Sequence, residues 1–336
     1  MNSLPTPDVT PLRGGPVLRW GVLAPGEIAG DFVRTVHANT DQRFVAVGSR
    51  SAERAAGFAA THGIPRSGSY EAVLEDAAVD VVYIAAPHSE HRSLALLAIA
   101  AGKHVLVEKP IALNATEAQE IADAARAAGV FAMEAMWSRY LPQADVIAQL
   151  LDRGDLGDVR LVTAVLGWQW PFDPTSRGYD PALGGGAMLD AGVYSHWFAQ
   201  FVLGAPAGIA AIGNLAPTGV DSDSVVSLRS AGGALGAITT SIVADTSVTA
   251  SIHGTAGRIE TGNFVMPSGF TLIAGSERQE WRDESGITGR DGLAWEAVAL
   301  AQFVADGRTE SPVHSLDDSI ALMRTIDEVR RQLGAV

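Results

Sequence analysis

The sequence contains no cysteine and only two lysines, Lys103 and Lys109. Without cysteine, the chain forms neither disulfides nor cysteine-ligated metal sites, and we predict no metal centre. A cysteine-free chain is typical of the reducing cytoplasm, so we predict that the protein is cytoplasmic. Long apolar runs are also missing, and the first residues lack the apolar segment of a secretory signal, which argues against a membrane partner.

Acidic residues clearly outnumber basic residues in the chain. The formal net charge is −14, and 47 % of the residues are hydrophobic, which is enough for a globular core. This charge argues against nucleic acid as a main partner, because binding to phosphates requires a basic surface. A local basic pocket for one anionic cofactor is still compatible with this charge.

The order of elements predicts an α/β fold with two domains. Residues 17–138 alternate short apolar strands with helices, which predicts a Rossmann-type, doubly wound parallel sheet. Residues 139–336 contain fewer helices and many short strands rich in Val, Ile and Thr, which predicts an α+β domain with a large, open, mostly antiparallel sheet. Residues 1–16 are rich in Pro, Gly and Thr, and we predict a disordered arm.

An open antiparallel sheet has one uncovered face, and such a face usually binds another subunit. We therefore predict a homodimer or a higher homo-oligomer.

The turn after the first predicted strand has the composition of a dinucleotide-binding loop. In "WGVLAPGEIAG" (20–30), Ala24, Gly26 and Ala29 stand at the positions of the G-x-G-x-x-G/A motif, so the first glycine is missing. Gly26 would let the backbone approach a pyrophosphate, and the helix beginning at Glu27 and Ile28 would direct its positive end at it. The alternative is an ordinary strand-to-helix turn.

The end of the second strand favours NADP(H), although NAD(H) is possible. NAD enzymes often carry an acidic residue there, whereas this chain has Ser49 and Arg50, with Arg54 one turn later. A guanidinium can bind a 2′-phosphate through two hydrogen bonds. The alternative is that Arg50 is a solvated surface residue.

Lys109 stands where the predicted strand "HVLVEKP" (104–110) ends. Pro110 removes a backbone donor and stops the strand, so Lys109 lies at the carboxyl edge of the parallel sheet, where such folds bind ligands. The alternative is a surface lysine paired with a carboxylate.

Asp190 and Tyr194 are four residues apart in a predicted helix and share one face of it, whereas His196 faces another way. The alternatives are a surface acid and a half-buried tyrosine. The preceding segment (167–186) is rich in aromatic residues, which could line a substrate pocket or pack against the sheet. The candidate substrate-binding residues are Trp137, Arg139, Trp168, Trp170, Arg177 and Tyr179.

Several stretches together resemble the Gfo/Idh/MocA oxidoreductase family over essentially residues 17–334. They are "AAPHSEH" (85–91), "VLVEKP" (105–110) and "GGGAMLDAGVYSH" (184–196). Within the family, "PRSGSYEAVLED" (65–76) and "MEAMWSRYLP" (133–142) are similar to the branch of dimeric dihydrodiol dehydrogenases and NADP-dependent xylose dehydrogenases.

The resemblance implies a site at the nicotinamide. The Glu108-Lys109 pair would lie at the cofactor, with Lys109 at the reacting carbon and a Lys-Pro bond that is often cis in the family. The segment Pro87–His91 would border the nicotinamide ribose. His88 and His91 either contact the cofactor there or have a local hydrogen-bonding role.

These residues suggest an acid–base mechanism. Tyrosine in water has a pKa of about 10, which is too high for an efficient base at neutral pH, and a nearby ammonium favours the phenolate. We expect Lys109 to be this ammonium, Tyr194 to exchange the hydroxyl proton, and Asp190 to bind a substrate hydroxyl or orient Lys109.

The sequence therefore predicts an NADP(H)-dependent dehydrogenase that acts on a secondary or hemiacetal hydroxyl of a sugar, polyol or cyclic diol. Two alternatives are a relative that uses NAD to cleave glycosidic bonds and a non-catalytic NADP-binding regulator. Arg50 argues against the first, and Lys109 together with Tyr194 argues against the second.

Overall fold

The computed structural model describes residues 3–336, which form two sheets flanked by helices. The first sheet is parallel, in the order β3-β2-β1-β4-β5-β6. Its strands are β1 (Arg19–Leu23), β2 (Arg43–Gly48), β3 (Ser67–Gly68), β4 (Val81–Ile84), β5 (His104–Glu108) and β6 (Ala132–Ala135). The accompanying helices are α1 (Glu27–Asn39), α2 (Ala52–His62), α3 (Tyr70–Leu74), α4 (His91–Ala100) and α5 (Ala115–Ala128).

The second sheet is mostly antiparallel, in the order β14-β13-β12-β11-β7-β10-β9-β8. Its strands are β7 (Val159–Gly167), β8 (Gly208–Leu215), β9 (Asp221–Arg229), β10 (Leu235–Ser241), β11 (Thr249–Gly254), β12 (Arg258–Thr261), β13 (Gly269–Ala274) and β14 (Glu277–Arg282). The remaining helices are α6 (Pro142–Asp152), α7 (Val193–Leu203), α8 (Leu293–Ala305) and α9 (Leu316–Leu333). Only the pairing of β10 with β7 is parallel among the described strands of this sheet.

This architecture confirms the predicted fold class. The sequence analysis missed β7, although β7 pairs with both β10 and β11 in the middle of its sheet. Within residues 3–336, no helix combines the length and the apolar composition that crossing a membrane requires.

Local signals explain where the helices begin and end. The Asn114 side chain accepts a hydrogen bond from the Glu117 backbone N–H at 2.9 Å, and so caps α5. The same helix ends at Gly129, whose φ of 66° is the left-handed conformation that glycine adopts at low cost.

The described residues divide into two compact units. The Rossmann unit comprises residues 9–140 and 289–320, and the sheet unit comprises residues 3–8, 141–288 and 321–336. The domain boundaries 17–138 and 139–336 stay a prediction; residues 289–320, which they place in the second domain, are in the Rossmann unit. In the structure this segment pairs with the outer edge of the parallel sheet, where the Ala132 N–H donates to the Thr309 carbonyl at 3.0 Å. An uncovered edge strand exposes unpaired backbone groups, which explains this pairing.

The structure describes residues 3–16 of the predicted arm. Each part of this segment forms hydrogen bonds with the compact unit to which it belongs. The Arg13 guanidinium donates to the Ala38 carbonyl at 2.6 Å and to Asp41 at 3.0 Å. The Asp8 N–H donates to the Asp145 carboxylate at 2.7 Å. That the arm is disordered stays a prediction.

A buried carboxyl group lies in α8. Glu296 is 0 % exposed, and neither carboxyl oxygen has a hydrogen-bond partner among the described residues. Burial, together with the negative charge of Glu108, raises the pKa of Glu296 well above its ordinary value. Glu296 therefore keeps its proton in the folded chain at a pH where the unfolded chain has lost it.

We predict that Glu296→Met stabilises the protein increasingly as the pH rises. An acid with a raised pKa contributes most to stability below its unfolded pKa, and this contribution is lost as the pH rises toward the folded pKa. The loss is about 1.4 kcal/mol per pH unit. Thermal unfolding at pH 5 to 8, a range of about three units, should show the melting temperature of the variant rising relative to the original chain.

The exposed Glu53 in the first turn of α2 provides the control. Glu53→Met removes an exposed carboxyl group, and its shift in melting temperature gives the baseline at each pH. A Glu296→Met shift that follows this baseline from pH 5 to 8 would contradict the assignment.

Candidate active site

Cofactor-site candidates follow the carboxyl ends of four neighbouring parallel strands, which meet at one edge of the sheet. Ala24 follows β1, Ser49 follows β2 and Lys109 follows β5, and Pro87 comes three residues after the end of β4. The strand order reverses between β1 and β4, and folds of this kind bind ligands at such a crevice.

The turn after β1 fits a dinucleotide. Ala24 has a φ of 62°, and its N–H donates to the Gly48 carbonyl at 3.0 Å, so alanine takes the left-handed position where the motif has glycine. Gly26 is extended, with a φ of −131°, and a Cβ built on it would meet no atom within 4 Å. Neither backbone conformation nor packing therefore requires glycine at position 26. The open space before α1 is what a pyrophosphate would need.

The end of β2 carries the residues predicted to recognise the ribose. The Ser49 hydroxyl accepts a hydrogen bond from the Ser51 N–H at 3.2 Å, and Ser51 caps the first turn of α2 at Arg54. The Arg50 side chain is 74 % exposed, and its guanidinium lies 4.0 Å from the Glu90 carboxylate.

His91 has a local role. It is fully buried, with Nδ1 2.8 Å from the Pro110 carbonyl oxygen and Nε2 2.9 Å from that of Ala86. Burial lowers the pKa of His91, against the opposing effect of the two carbonyls. Both ring nitrogens are engaged with the backbone, which favours the local alternative over cofactor contact. His88 is nearly buried after Pro87, with its ring edge-on to His91.

Lys109 is half-buried at the end of β5, and its bond to Pro110 is cis, as the resemblance implies. The preceding Glu108 is buried. One of its carboxylate oxygens accepts from the Tyr83 hydroxyl at 2.5 Å, and the other accepts from the Lys109 N–H at 3.1 Å. Lys103, by contrast, is a structural residue, because its ammonium donates to the carbonyls of Asp76 and Val79 at 2.8 Å each.

The sequence analysis missed Glu134 in β6. Its carboxylate accepts from the Ile111 N–H at 2.9 Å, two residues after Lys109. The signal was an acidic residue inside an otherwise apolar predicted strand, within the stretch "MEAMWSRYLP".

Asp190 and Tyr194 are in the sheet unit and are both buried. Asp190 lies in a π-helical turn (Met188–Gly192) that runs directly into α7, where Tyr194 is the second residue. The Asp190 carboxylate accepts from Arg177 at 2.9 Å, and this guanidinium stacks over the Trp170 ring at 4.9 Å. Lys109 belongs to the other unit, so its convergence with Asp190 and Tyr194 stays a prediction.

Another buried carboxylate anchors the start of this helix. Asp221 accepts from the Met188 N–H at 2.6 Å, and burial raises its pKa to about 6. Gly186 has a φ of 118°, and a Cβ there would come within 2.5 Å of the other Asp221 oxygen. The last glycine of the triplet 184–186 is therefore required by its conformation and by Asp221.

His196 is buried on the same helix, with Nδ1 2.9 Å from the Gly192 carbonyl oxygen. Burial lowers its pKa to about 4, so it is neutral at pH 7.

The aromatic candidates have different surroundings. Tyr179 is 1 % exposed, and its hydroxyl donates to the Trp170 and Ile242 carbonyls at 3.1 and 3.3 Å, which favours the packing alternative. Trp168 and Trp170 are half-buried in the sheet unit. In the Rossmann unit, Trp137 is nearly buried, and Arg139 donates to the Val313 carbonyl at 3.0 Å.

Comparison with known proteins identifies the family. Residues 18–136 match the Gfo/Idh/MocA oxidoreductase family with an NAD-binding Rossmann fold, and residues 145–260 match the Gfo/Idh/MocA C-terminal domain. The chain is 36 % identical over 328 residues to the trans-1,2-dihydrobenzene-1,2-diol dehydrogenase of Mus musculus, covering 94 % of this chain and 97 % of that enzyme. The chain belongs to the Gfo/Idh/MocA family. It is therefore an oxidoreductase with an NAD(P)-binding Rossmann domain.

Other known proteins are similar to this chain over most of their length. The Homo sapiens trans-1,2-dihydrobenzene-1,2-diol dehydrogenase is 35 % identical, with 94 % of this chain and 97 % of that enzyme covered. A 3-ketoreductase from Actinomadura kijaniata, solved with NADP and TDP-benzene, is 26 % identical with a TM-score of 0.81, covering 94 % of this chain and 98 % of that one. A levoglucosan dehydrogenase, solved with NADH and levoglucosan, shares the fold with a TM-score of 0.85 at 22 % identity, covering 94 % of this chain and 97 % of that one.

We predict that Gly26→Ala weakens dinucleotide binding without weakening the fold. The added methyl group would meet no protein atom but would occupy the space before α1. We expect the dissociation constant for the dinucleotide to rise roughly 10-fold, equivalent to about 1.4 kcal/mol. Fluorescence titration with the reduced cofactor measures this constant.

Gly57 in the middle of α2 is the matched control, because a Cβ there also meets no atom. Gly57→Ala should bind the cofactor as the original chain does. Equal affinities for both variants would show that the space at Gly26 is not the pyrophosphate site.

Proposed function

We propose that this oxidoreductase moves a hydride between NADP(H) and the carbon of a secondary or hemiacetal hydroxyl of a sugar, polyol or cyclic diol. The relatives support this substrate class. Two are named for a ring diol, and one was solved with levoglucosan. A carbon that bears a hydroxyl beside other hydroxyls on a ring is common to these compounds.

The preference for NADP(H) rests on the end of β2. Ser49 and Arg50 occupy the position where an acidic residue would accept the ribose hydroxyls of NAD. The exposed guanidinium of Arg50 suits a 2′-phosphate, for which it would exchange its 4.0 Å contact with Glu90. Ala24, Gly26, Glu27 and Ile28 would hold the pyrophosphate, and Pro87 and Glu108 would border the nicotinamide ribose.

The observation that carries the proposal is the placement of Lys109. Lys109 lies half-buried at the ligand-binding edge of the parallel sheet, and Glu108 accepts a hydrogen bond from its backbone N–H. In the proposed site its ammonium stabilises the phenolate of Tyr194, which accepts the hydroxyl proton during oxidation and returns it during reduction.

Asp190 would bind a second substrate hydroxyl. Its bond to Arg177 orients the carboxylate, and the Arg177 guanidinium is itself held over the Trp170 ring. When bound, the nicotinamide supplies the acceptor or donor of the hydride. The half-buried Trp168 and Trp170 would add apolar faces that suit sugar rings.

We predict that Lys109→Met lowers turnover roughly 100- to 10,000-fold, the range that general acid–base groups contribute, while cofactor affinity stays within a few-fold. The assay uses a panel of aldoses, inositols and cyclic diols with NADP or NAD, followed by the absorbance of the reduced nicotinamide. We expect a higher kcat/KM with NADP.

Lys103→Met is the control, since it removes the other lysine. It should lower thermal stability while leaving turnover per folded molecule within about 2-fold, because both bonds it breaks are structural. If the Lys109→Met variant keeps its turnover within a few-fold of that of the original chain, the proposed mechanism is wrong. No net turnover of added cofactor on any of these substrates would contradict the proposed reaction.

We further propose a homodimer formed through the open face of the large sheet, in the cytoplasm that the cysteine-free sequence favours. Ile212 and Val225 are directly opposite across β8 and β9 and are 75 % and 52 % exposed. Leu235 on β10 is half exposed as well. Neighbouring apolar side chains at this exposure are typical of subunit interfaces.

Ile212→Glu should convert the dimer to a monomer, because each subunit would bury a carboxylate in an apolar contact. Sedimentation velocity at micromolar concentration measures the mass. Leu97→Glu, at an exposed apolar position on α4, should leave the dimer intact. An original chain that sediments as a monomer would rule out this interface.

A further inference from the structure

Three consecutive residues at the end of β5 are each held by a buried side chain. Glu108 accepts from the Lys109 N–H, and His91 contacts the Pro110 carbonyl at 2.8 Å. Glu134 accepts from the Ile111 N–H at 2.9 Å. The first two side chains belong to motifs already assigned to the site, whereas Glu134 has no assigned role.

We propose that Glu134 is a positioning residue that fixes Lys109 for hydride transfer by holding the Ile111 N–H. This inference rests on the proposed catalytic role of Lys109. Glu134 itself is 1 % exposed and acts through the backbone.

The location of Glu134 suits this role. It lies on β6 opposite Val107 of β5, so its strand is the direct neighbour of the one that ends at Lys109. After Glu108 the parallel ladder stops, and the Ile111 N–H has to find another acceptor. Ile111 is also buried, so water cannot replace the carboxylate without a large cost.

Two further side chains, those of His314 and Ser319, hold the Glu134 carboxylate in place. Its other carboxylate oxygen is 3.1 Å from Nε2 of His314, and the Ser319 hydroxyl is 3.2 Å from the same nitrogen. Burial acts to raise the pKa of Glu134, but the hydrogen bonds from His314, Ser319 and the Ile111 N–H outweigh it and hold the pKa below its ordinary value. Glu134 is therefore a carboxylate at neutral pH, and a charged acceptor holds an N–H more strongly than a neutral one.

Positioning of this kind affects turnover more than binding. A displacement of about 1 Å at a reacting group can cost on the order of 100-fold in rate. Loss of Glu134 would free the Ile111 peptide and so let the Lys109 backbone move, while the residues proposed to bind the pyrophosphate and the 2′-phosphate stay in place.

The test compares Glu134→Ala with Glu134→Gln. The glutamine oxygen can still accept from the Ile111 N–H, but the charge is lost. We expect kcat to fall roughly 10- to 100-fold in the alanine variant and clearly less in the glutamine variant, with KM values within about 2-fold. With substrate deuterated at the reacting carbon, the primary isotope effect on kcat should grow in both variants as hydride transfer becomes slower.

Glu117, in the first turn of α5, provides a matched control because it binds the same loop. Its carboxylate accepts from the Leu113 N–H at 3.2 Å, so Glu117→Ala also releases a backbone N–H close to Lys109. It should lower the melting temperature but leave kcat and the isotope effect unchanged.

The outcomes separate the two proposals. If Lys109→Met is inactive but the Glu134 variants, corrected for the folded fraction, keep the original kcat and isotope effect, the positioning role is wrong and the catalytic role stands. If Glu117→Ala lowers kcat as much as Glu134→Ala, the effect is a general loosening of the loop, and the role of Glu134 is also wrong. If Glu134→Ala does not fold, Glu134→Gln alone decides, through its kcat and isotope effect.

Discussion

A backbone N–H that leaves a strand or begins a helix inside a protein has to find an acceptor, and here buried carboxylates provide it. Glu108 and Glu134 accept the N–H groups of Lys109 and Ile111 where β5 ends. In the sheet unit, Asp221 accepts the Met188 N–H at the beginning of the helix that carries Asp190 and Tyr194. The proposed reacting residues are Lys109, Asp190 and Tyr194. Each is thus close in sequence to a backbone N–H that donates a charge-assisted hydrogen bond to a buried carboxylate.

Burying a charged carboxylate costs free energy, and the Rossmann unit offsets or avoids this cost in different ways. The charge of Glu134 is compensated by hydrogen bonds from His314, Ser319 and the backbone. Glu108 is bound by the Tyr83 hydroxyl and a backbone N–H. Glu296 has no such partner among the described residues, and its pKa is raised well above the ordinary value instead. Ionised groups near the proposed site are therefore those with donors, as the cost of burying charge requires.

Much of the fold could be predicted from the sequence because its signals are local. A few neighbouring residues are enough to recognise the helix cap Asn114, the helix end at Gly129 and the alternation of strands and helices. The position of Lys109 at the carboxyl edge followed from a strand that ends in Pro110. The central place of β7 between β10 and β11 could not be predicted, because both partners come much later in the chain.

The parts of the site that could not be predicted depend on burial and on contacts between distant residues. His314 and Ser319 meet Glu134 only because the segment after α8 returns to the edge of the parallel sheet. Tyr179 and His91 have residue types suited to binding, and only their surroundings show that their polar atoms are engaged with backbone carbonyls. Arg177 was expected near the substrate, but its bond to Asp190 was not.

The scarcity of lysine has a practical consequence. Lys103 is buried and its ammonium donates to two carbonyls, whereas Lys109 is half-buried. Amine-directed reagents such as acylating probes should therefore modify Lys109 in preference to Lys103, and ¹³C-methylation of Lys109 would provide a resonance that reports on its surroundings.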